Sequence, residues 1–338
     1  MNTKLYTGTT NAQSITGVGF QPDLTWVKVR SSSAYHVLQD AVRTATGTDS
    51  YSMITSAAAS DVNDAITSFD SDGFSLGTDS NDRSNYNGQT HVAWNWKAGG
   101  GQGSSNTDGS INTTYTSVNT TAGFSISSYT GTGSNATVGH GLGVAPKVVI
   151  VKRLSGVADW VVGHDSMGWT KYIYLSSTAA PVVSASAAWN DTAPTNSVFT
   201  VATNTQVNAS GSTYIAYCFA EKTGYSKFGS YVGNGSSSSP TFIYTGFKPK
   251  FVMVKNTSQA DSWFIHDDKR DGYNDDNEYL FADLNNAEGS NVNRLSMYSN
   301  GFNVPTTDKS HNVSGNSYIY MAIGQSIVGT NNIPATAR

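Results

Sequence analysis

One strand-like run is written three times in this chain, and it narrows the possible folds more than any other feature. The copies are FQPDLTWVK at 20–28, VAPKVVIVK at 144–152 and FKPKFVMVK at 247–255. Each holds a proline, one variable residue, and an apolar stretch closed by a lysine six positions after the proline. The pairs are Pro22 with Lys28, Pro146 with Lys152 and Pro249 with Lys255. Proline has no N–H to give to a ladder, so it suits the first residue of a strand. The three lysines are then expected at equivalent strand ends.

Carried outwards, the comparison recovers a whole unit. A Tyr-x-Gly opening precedes the strand at 6–8, 129–131 and 231–233. After it comes an aromatic residue with an aspartate five positions on: Tyr35 and Asp40, Trp160 and Asp165, Trp263 and Asp268. A strand centred on Phe74, Phe199 or Phe302 follows. The unit closes with a glycine and an aromatic-rich strand, in NGQTHVAWNWKA (87–98), SGSTYIAYCFAE (210–221) and SGNSYIYMAIGQ (314–325). Four landmarks in constant order divide the chain into units at 1–98, 119–224 and 225–326. Residues 99–118, opening with GGGQGSSNTDGS, have the composition of a flexible Gly/Ser/Thr-rich linker, and 327–338 form a C-terminal tail.

Within a unit nearly every periodic run has period two and is bounded by Gly, Asn, Ser or Pro. In THVAWNWKA, His91, Ala93, Asn95 and Lys97 alternate with Val92, Trp94 and Trp96. Trp94 aligns with Tyr217 and Met321, which marks a core position. The expected fold is all-β: three tandem antiparallel β-sandwich, jelly-roll-like modules of about 100 residues each. A small barrel is the alternative. Helices should be few and short, with SDVNDAITSF (60–69) a candidate.

Composition excludes several function classes. Only 13% of residues are charged, against roughly 25% in an average domain, and the net charge is −4. Nucleic-acid binding needs clustered Lys and Arg, so none is expected. No apolar run is long enough for a membrane span. The start, MNTKLYTGTT, lacks the apolar core of a signal peptide, so a Sec-independent protein is expected. The lone Cys218 excludes an intrachain disulfide and a cysteine zinc site. Aromatics at 11% supply enough bulk for a core.

The combination YTGTTNAQSITGVGFQPDLTWVKVR, DGFSLG, HVAWNWKAGG, GYSKFGSY and GSTYIAYCFAE resembles a repeat domain of unknown function encoded in structural gene clusters of tailed bacteriophages, notably marine podoviruses. The resemblance covers about residues 4–326. It implies a virion-associated protein of tail, fibre or capsid exterior, and it carries no catalytic residues to transfer.

Candidate chemistry is sparse. His164-Asp165 and His266-Asp267 could be hydrolytic dyads if a nucleophile stood within reach, but the first unit has Gln39-Asp40 there. The recurring aspartate reads better as a turn or cap. Asp70 and Asp72 before Gly73 have a calcium-like spacing without the distal glutamate of an EF-hand. Asp275, Asp276 and Glu278 read as a solvated loop with Lys269 and Arg270 as counter-charges. VGHGLG (138–143) and WKAGGGQG (96–103) lack a P-loop ending and read as turns and linker. Trp169, Trp189 and Tyr172 are the candidate ligand or interface aromatics, since they lie in stretches peculiar to the middle unit.

No cofactor, metal or enzyme activity is expected. The expectation is a non-enzymatic virion structural protein, in a tail or fibre-like appendage that contributes to host attachment. A capsid decoration protein and a glycan-binding lectin-like module are the alternatives. Partners would be other virion proteins and a host-surface glycan, and the chain a homo-oligomer, a homotrimer ahead of another ring.

Overall fold

The computed structural model describes residues 1–326 apart from 44–50, 53–54, 56–61, 64–65, 80, 184–185, 271–273, 275–277 and 291. The described chain is all-β with several antiparallel sheets and two four-residue α-helices. Strands β1 (Asn2–Thr7), β2 (Gln13–Thr16), β3 (Leu24–Val29), β4 (Val37–Asp40), β5 (Tyr51–Ser52), β6 (Val62–Asn63), β7 (Ile66–Asp70), β8 (Gly73–Leu76) and β9 (Thr90–Trp96) come first. Next are β10 (Tyr115–Asn119), β11 (Phe124–Thr130), β12 (Ala136–Gly139), β13 (Val148–Arg153), β14 (Val161–His164), β15 (Lys171–Tyr174), β16 (Val182–Val183), β17 (Val198–Val201) and β18 (Thr213–Phe219). The last are β19 (Ser226–Val232), β20 (Phe242–Tyr244), β21 (Phe247–Asn256), β22 (Trp263–Asp267), β23 (Leu280–Phe281), β24 (Ser296–Tyr298), β25 (Gly301–Asn303) and β26 (Ser317–Ser326).

One pairing order recurs. The larger sheets contain the orders β1-β9-β3-β4, β11-β18-β13-β14 and β19-β26-β21-β22, the second extended by β10, β15 and β16 and the third by β23, each with the Pro…Lys strand between the closing strand and its successor. The smaller sheets pair β2 with β8, β12 with β17 and β20 with β25, each holding Phe74, Phe199 or Phe302. One face of each larger sheet packs on its own smaller sheet. Val27 and Ala93 meet Ile15 and Phe74, Val149 and Val151 meet Val138 and Phe199, and Val252 and Val254 meet Ile243 and Phe302.

The opposite faces do not meet solvent. Trp26 and Trp94, Ile150 and Tyr217, and Met253 and Met321 belong to one cluster drawn from all three sheets. Burial on both faces explains why VVIVK and FVMVK read as unbroken apolar runs. An apolar cavity of about 30 Å³ remains among Trp26, Trp96, Ile150, Trp160, Phe251 and Met253. The closing-strand position of Trp94, Tyr217 and Met321 is a core position, as its alternation requires.

Two expectations need correction. Residues 66–69 of the candidate helix lie in strand β7, because Ile66 and Phe69 pair with Leu76 and Phe74. Residues 99–118 are not a free spacer. The Asp23 carboxylate accepts from the N–H groups of Ala98 (2.6 Å), Gly100 (3.0 Å) and Gly101 (2.6 Å), and β10 pairs along β11.

Candidate functional site at the seams between units

The three prolines align in register, since Leu24, Val148 and Phe251 two residues on face Trp96, Phe219 and Ile323. Lys28, Lys152 and Lys255 follow at equivalent positions, all with 0% exposure. Lys152 and Lys255 donate to the carbonyls of Ala158 and Asp261 and lie over Trp160 and Trp263. Lys28 donates to the Val29 carbonyl at 2.6 Å. Burial lowers Lys28 to about 7 and Lys255 to about 8, with Glu288 opposing at the first and Asp283 at the second. Lys152 and Lys255 thus clip strand to loop inside the fold, whereas Lys28 bonds within its own strand.

The recurring aspartate is not where its spacing placed it. Leu24 pairs with Asp40, Val148 with His164 and Phe251 with Asp267. The equivalent set is therefore Asp40, His164 and Asp267, with Asp165 and Asp268 one step beyond. Likewise His36 opposite Lys28, not Tyr35, matches Trp160 and Trp263. The third residue after each member of the set is Arg43, Met167 and Arg270.

Here the units meet, in cyclic order. Asp40 of the first accepts from Tyr217 Oη of the second at 2.7 Å and from Arg43 Nε at 2.6 Å. His164 of the second makes a 3.2 Å contact from Nε2 to the Tyr320 carbonyl of the third. Asp267 of the third accepts from Trp94 Nε1 of the first at 2.9 Å and from Arg270 Nε at 2.5 Å. In each case the first side-chain acceptor atom also caps the following turn, taking the N–H of Val42, Ser166 or Lys269.

Grooves open beside two seams. One of about 360 Å³ lies between the first and second units, lined by Arg43, Thr114, Ser128, Leu154, Ser155 and Thr213. One of about 630 Å³ lies between the second and third, lined by Met167, Lys171, Ser230, Thr257, Ser258 and Ser317. Leu154 and Thr257 correspond to Arg30, and Arg43 and Met167 to Arg270. At the third seam those two arginines both bind Glu288, Arg30 at 2.7 Å and Arg270 at 2.9 Å, while Arg30 also reaches Glu278 at 2.7 Å. Burial works to raise Glu288, but Arg30 and Arg270 outweigh it and hold the carboxyl below its usual range. Glu278 and Arg270 are thus committed to ion pairs, not a solvated loop; Asp275 and Asp276 lie outside the described residues.

The chain matches the family described as Domain of unknown function (DUF7483) over residues 1–326. It belongs to that family. No curated protein and no solved structure matches it. The DUF7483 span runs across all three seams, so the family region includes each pair of facing strands just described.

The other candidates fall apart on inspection of their neighbours. Trp169 and Trp189 are 6% and 0% exposed and pack edge-to-face at 5.8 Å in the core of the middle unit, with Tyr172 at 7% beside them. None of the three offers a face to a ligand. Neither His-Asp pair is a dyad, because in each the histidine and the aspartate engage different partners, His164 the Tyr320 carbonyl and His266 the His311 ring. His266 meets His311 at 3.1 Å while Asp267 faces Arg270. Asp165 instead binds Lys147 at 2.7 Å. Asp72 accepts from Gly17 and Gly19, tying two turns together. Among the described residues no three His, Cys, Asp or Glu are grouped to hold a metal, and no helix is long and apolar enough to cross a membrane.

Two recurring motifs escaped the sequence reading. Asn85, Asn208 and Asn312 are buried and accept from the N–H of Thr9, Thr132 and Asn234 at 2.9, 2.7 and 2.9 Å. Each stands three before the closing glycine, so Asn-x-x-Gly was legible. Ser31, Ser155 and Ser258, three after the lysines, accept from the N–H of Thr90, Thr213 and Ser317. Gly88, Gly211 and Gly315 sit at φ 70°, 71° and 80°, which favours glycine.

Proposed function

We propose that this chain is a non-enzymatic structural protein on the exterior of a tailed-phage particle, built as three β-sandwich, jelly-roll-like modules and contributing to host attachment from a tail or fibre-like appendage. The observation that carries the reading is the shared core. Three similar sheets bury their second faces against one another inside one chain, as three subunits of a homotrimer would. A single module of about 100 residues buries only about 65% of its unfolded surface, and the central cluster adds to that. All six histidines, and the lysine of each repeat, are buried and hydrogen-bonded inside the fold. That use of its ionisable groups suits a rigid body better than a catalyst.

The cyclic order of the seams favours a second reading, a decoration protein seated where three shell subunits meet. Gradient sedimentation of a lysate from particle-producing cells tests both. The chain should band with particles and be reached by antibody on intact ones. Recovery only at the top of the gradient would sink the particle reading, and labelling at tail or head chooses between its forms.

A further inference from the structure

The three smaller sheets have the same pairing but not the same outer face. Residues opposite one another share a face, so Phe242, Tyr244, Gly301, Asn303 and Tyr298 lie together on the outside of β20-β25-β24. Ile243, Phe302 and Met297 face the core. The same outer positions hold Ser14, Thr16 and Asp70 in the first unit. In the second unit they hold Thr137 and Gly139. The fold therefore does not require aromatic rings there.

In the third unit the rings are exposed, Phe242 at 48% and Tyr244 at 57%. Phe242 stands edge-on to Tyr298 at 6.0 Å and covers Gly301, where an added Cβ would come within 2.9 Å of its Cζ. Lys227 donates to the Tyr244 carbonyl at 3.1 Å and lies 5.6 Å over that ring. Asn303 Nδ2 donates to Tyr298 Oη at 3.1 Å, leaving that phenol's own proton as a donor.

We propose that this face binds a neutral glycan, with Phe242 and Tyr244 stacking on the C–H faces of successive sugar rings and the Tyr244 and Tyr298 hydroxyls bonding to sugar hydroxyls. Flat apolar rings edged by a few oriented polar groups match a saturated ring whose faces are C–H and whose rim is hydroxyl. Among the described residues Lys227 is the charged group that meets these rings, and it is tied to the Tyr244 carbonyl, so an anionic partner finds little complementary charge. A purely apolar partner would bury both phenols without acceptors, at a cost.

The inference does not depend on the particle reading, because soluble sugar is the only ligand in its test. The full chain is titrated with maltoheptaose, cellohexaose and chitohexaose by calorimetry and saturation-transfer NMR. At least one should bind at millimolar affinity or tighter. The Phe242→Ser/Tyr244→Thr variant, which carries the first unit's own residues, should bind about tenfold more weakly or not at all. Its unfolding midpoint in urea shows that it is folded. Absence of binding by all three sugars, or equal binding by the variant, overturns the proposal. So does self-association of the wild type that the variant abolishes, since that assigns the face to a second copy.

Discussion

The seam between the third and first units and the seam between the second and third solve one packing problem with opposite chemistry. At the former, Asp267 and Arg270 have fully buried side chains 2.5 Å apart, Arg270 lies 5.5 Å over the Trp94 ring, and Glu288 joins it to Arg30. At the latter the same two positions hold His164 and Met167, and the cross-seam contact is a neutral imidazole on the Tyr320 carbonyl. Apolar packing holds both seams. What differs is how the polar groups entering that apolar region are satisfied. A buried ion pair must keep both partners, whereas a neutral pair must keep its proton count.

Acid should therefore give the largest effect, and should reach the neutral seam first. Burial lowers His164 to about 4, and the same cause lowers His91 to about 4, His266 to about 3, and His36, His140 and His311. Folded values below the unfolded one of roughly 6.5 mean that the unfolded chain binds more protons. The contribution of these groups is complete above about 6.5 and is lost as pH falls towards the folded values. Each histidine costs about 1.4 kcal/mol per pH unit across that window. Asp23, Asp268 and Asp283, raised by burial, oppose the loss near the usual carboxylate range. Glu288, lowered, adds to it there, so the ionic seam weakens later. Thermal melts from pH 7.5 to 4 should fall steeply below 6.5, and His164→Gln should flatten that slope by about one proton. A flat melt profile to pH 4.5 would contradict the buried neutral histidines.

Removing one ion should come next. Arg270→Met leaves Asp267 and part of Glu288 buried without their cation, at a cost of about 3–5 kcal/mol in urea unfolding at pH 7. Arg43→Met at the first–second seam should cost a similar or smaller amount, since Arg43 is 5% exposed as a side chain. The double variant Asp40→His/Arg43→Met copies the neutral seam onto that position and should recover at least half of the single loss. Losses that simply add would mean that the two chemistries are not interchangeable solutions.

Much of this was legible from the chain. The Pro…Lys strand, the closing glycine and the Trp94/Tyr217/Met321 position repeat in the structure as they repeat in the letters. The register of the following strand was misread for a local reason. His164 replaces the aspartate in the middle unit, and Asp267-Asp268 offers two candidates in the last, so spacing from Tyr35 selected the wrong partner. The shared core was concealed because residues on both faces of β13 and β21 are apolar, which removes the alternation that reveals a buried face. Trp169 and Trp189 looked available because their stretches are polar and turn-rich, and only the packing of β17 and the α-helix at Ser186–Trp189 shows that they are enclosed.

The smallest effects should come from the shared closing-strand position, Tyr217, Trp94 and Met321, where two of the three side chains donate to the set Asp40, His164 and Asp267. Tyr217→Phe removes the 2.7 Å bond to Asp40 but leaves Arg43 and two backbone N–H groups on that carboxylate. A hydrogen bond to a charged group contributes about 1.5–3 kcal/mol, and with three donors remaining the lower end is expected. Trp94→Phe removes the 2.9 Å bond to Asp267 and also shrinks a ring stacked under Arg270, so it should cost more. Met321→Leu, facing the neutral seam, has no bond to lose and changes volume little, which predicts less than about 1.5 kcal/mol. Urea unfolding of the three variants should rank them Trp94, Tyr217, Met321. A Met321 variant as costly as the other two would mean that shape, not polar satisfaction, sets the difference between the seams.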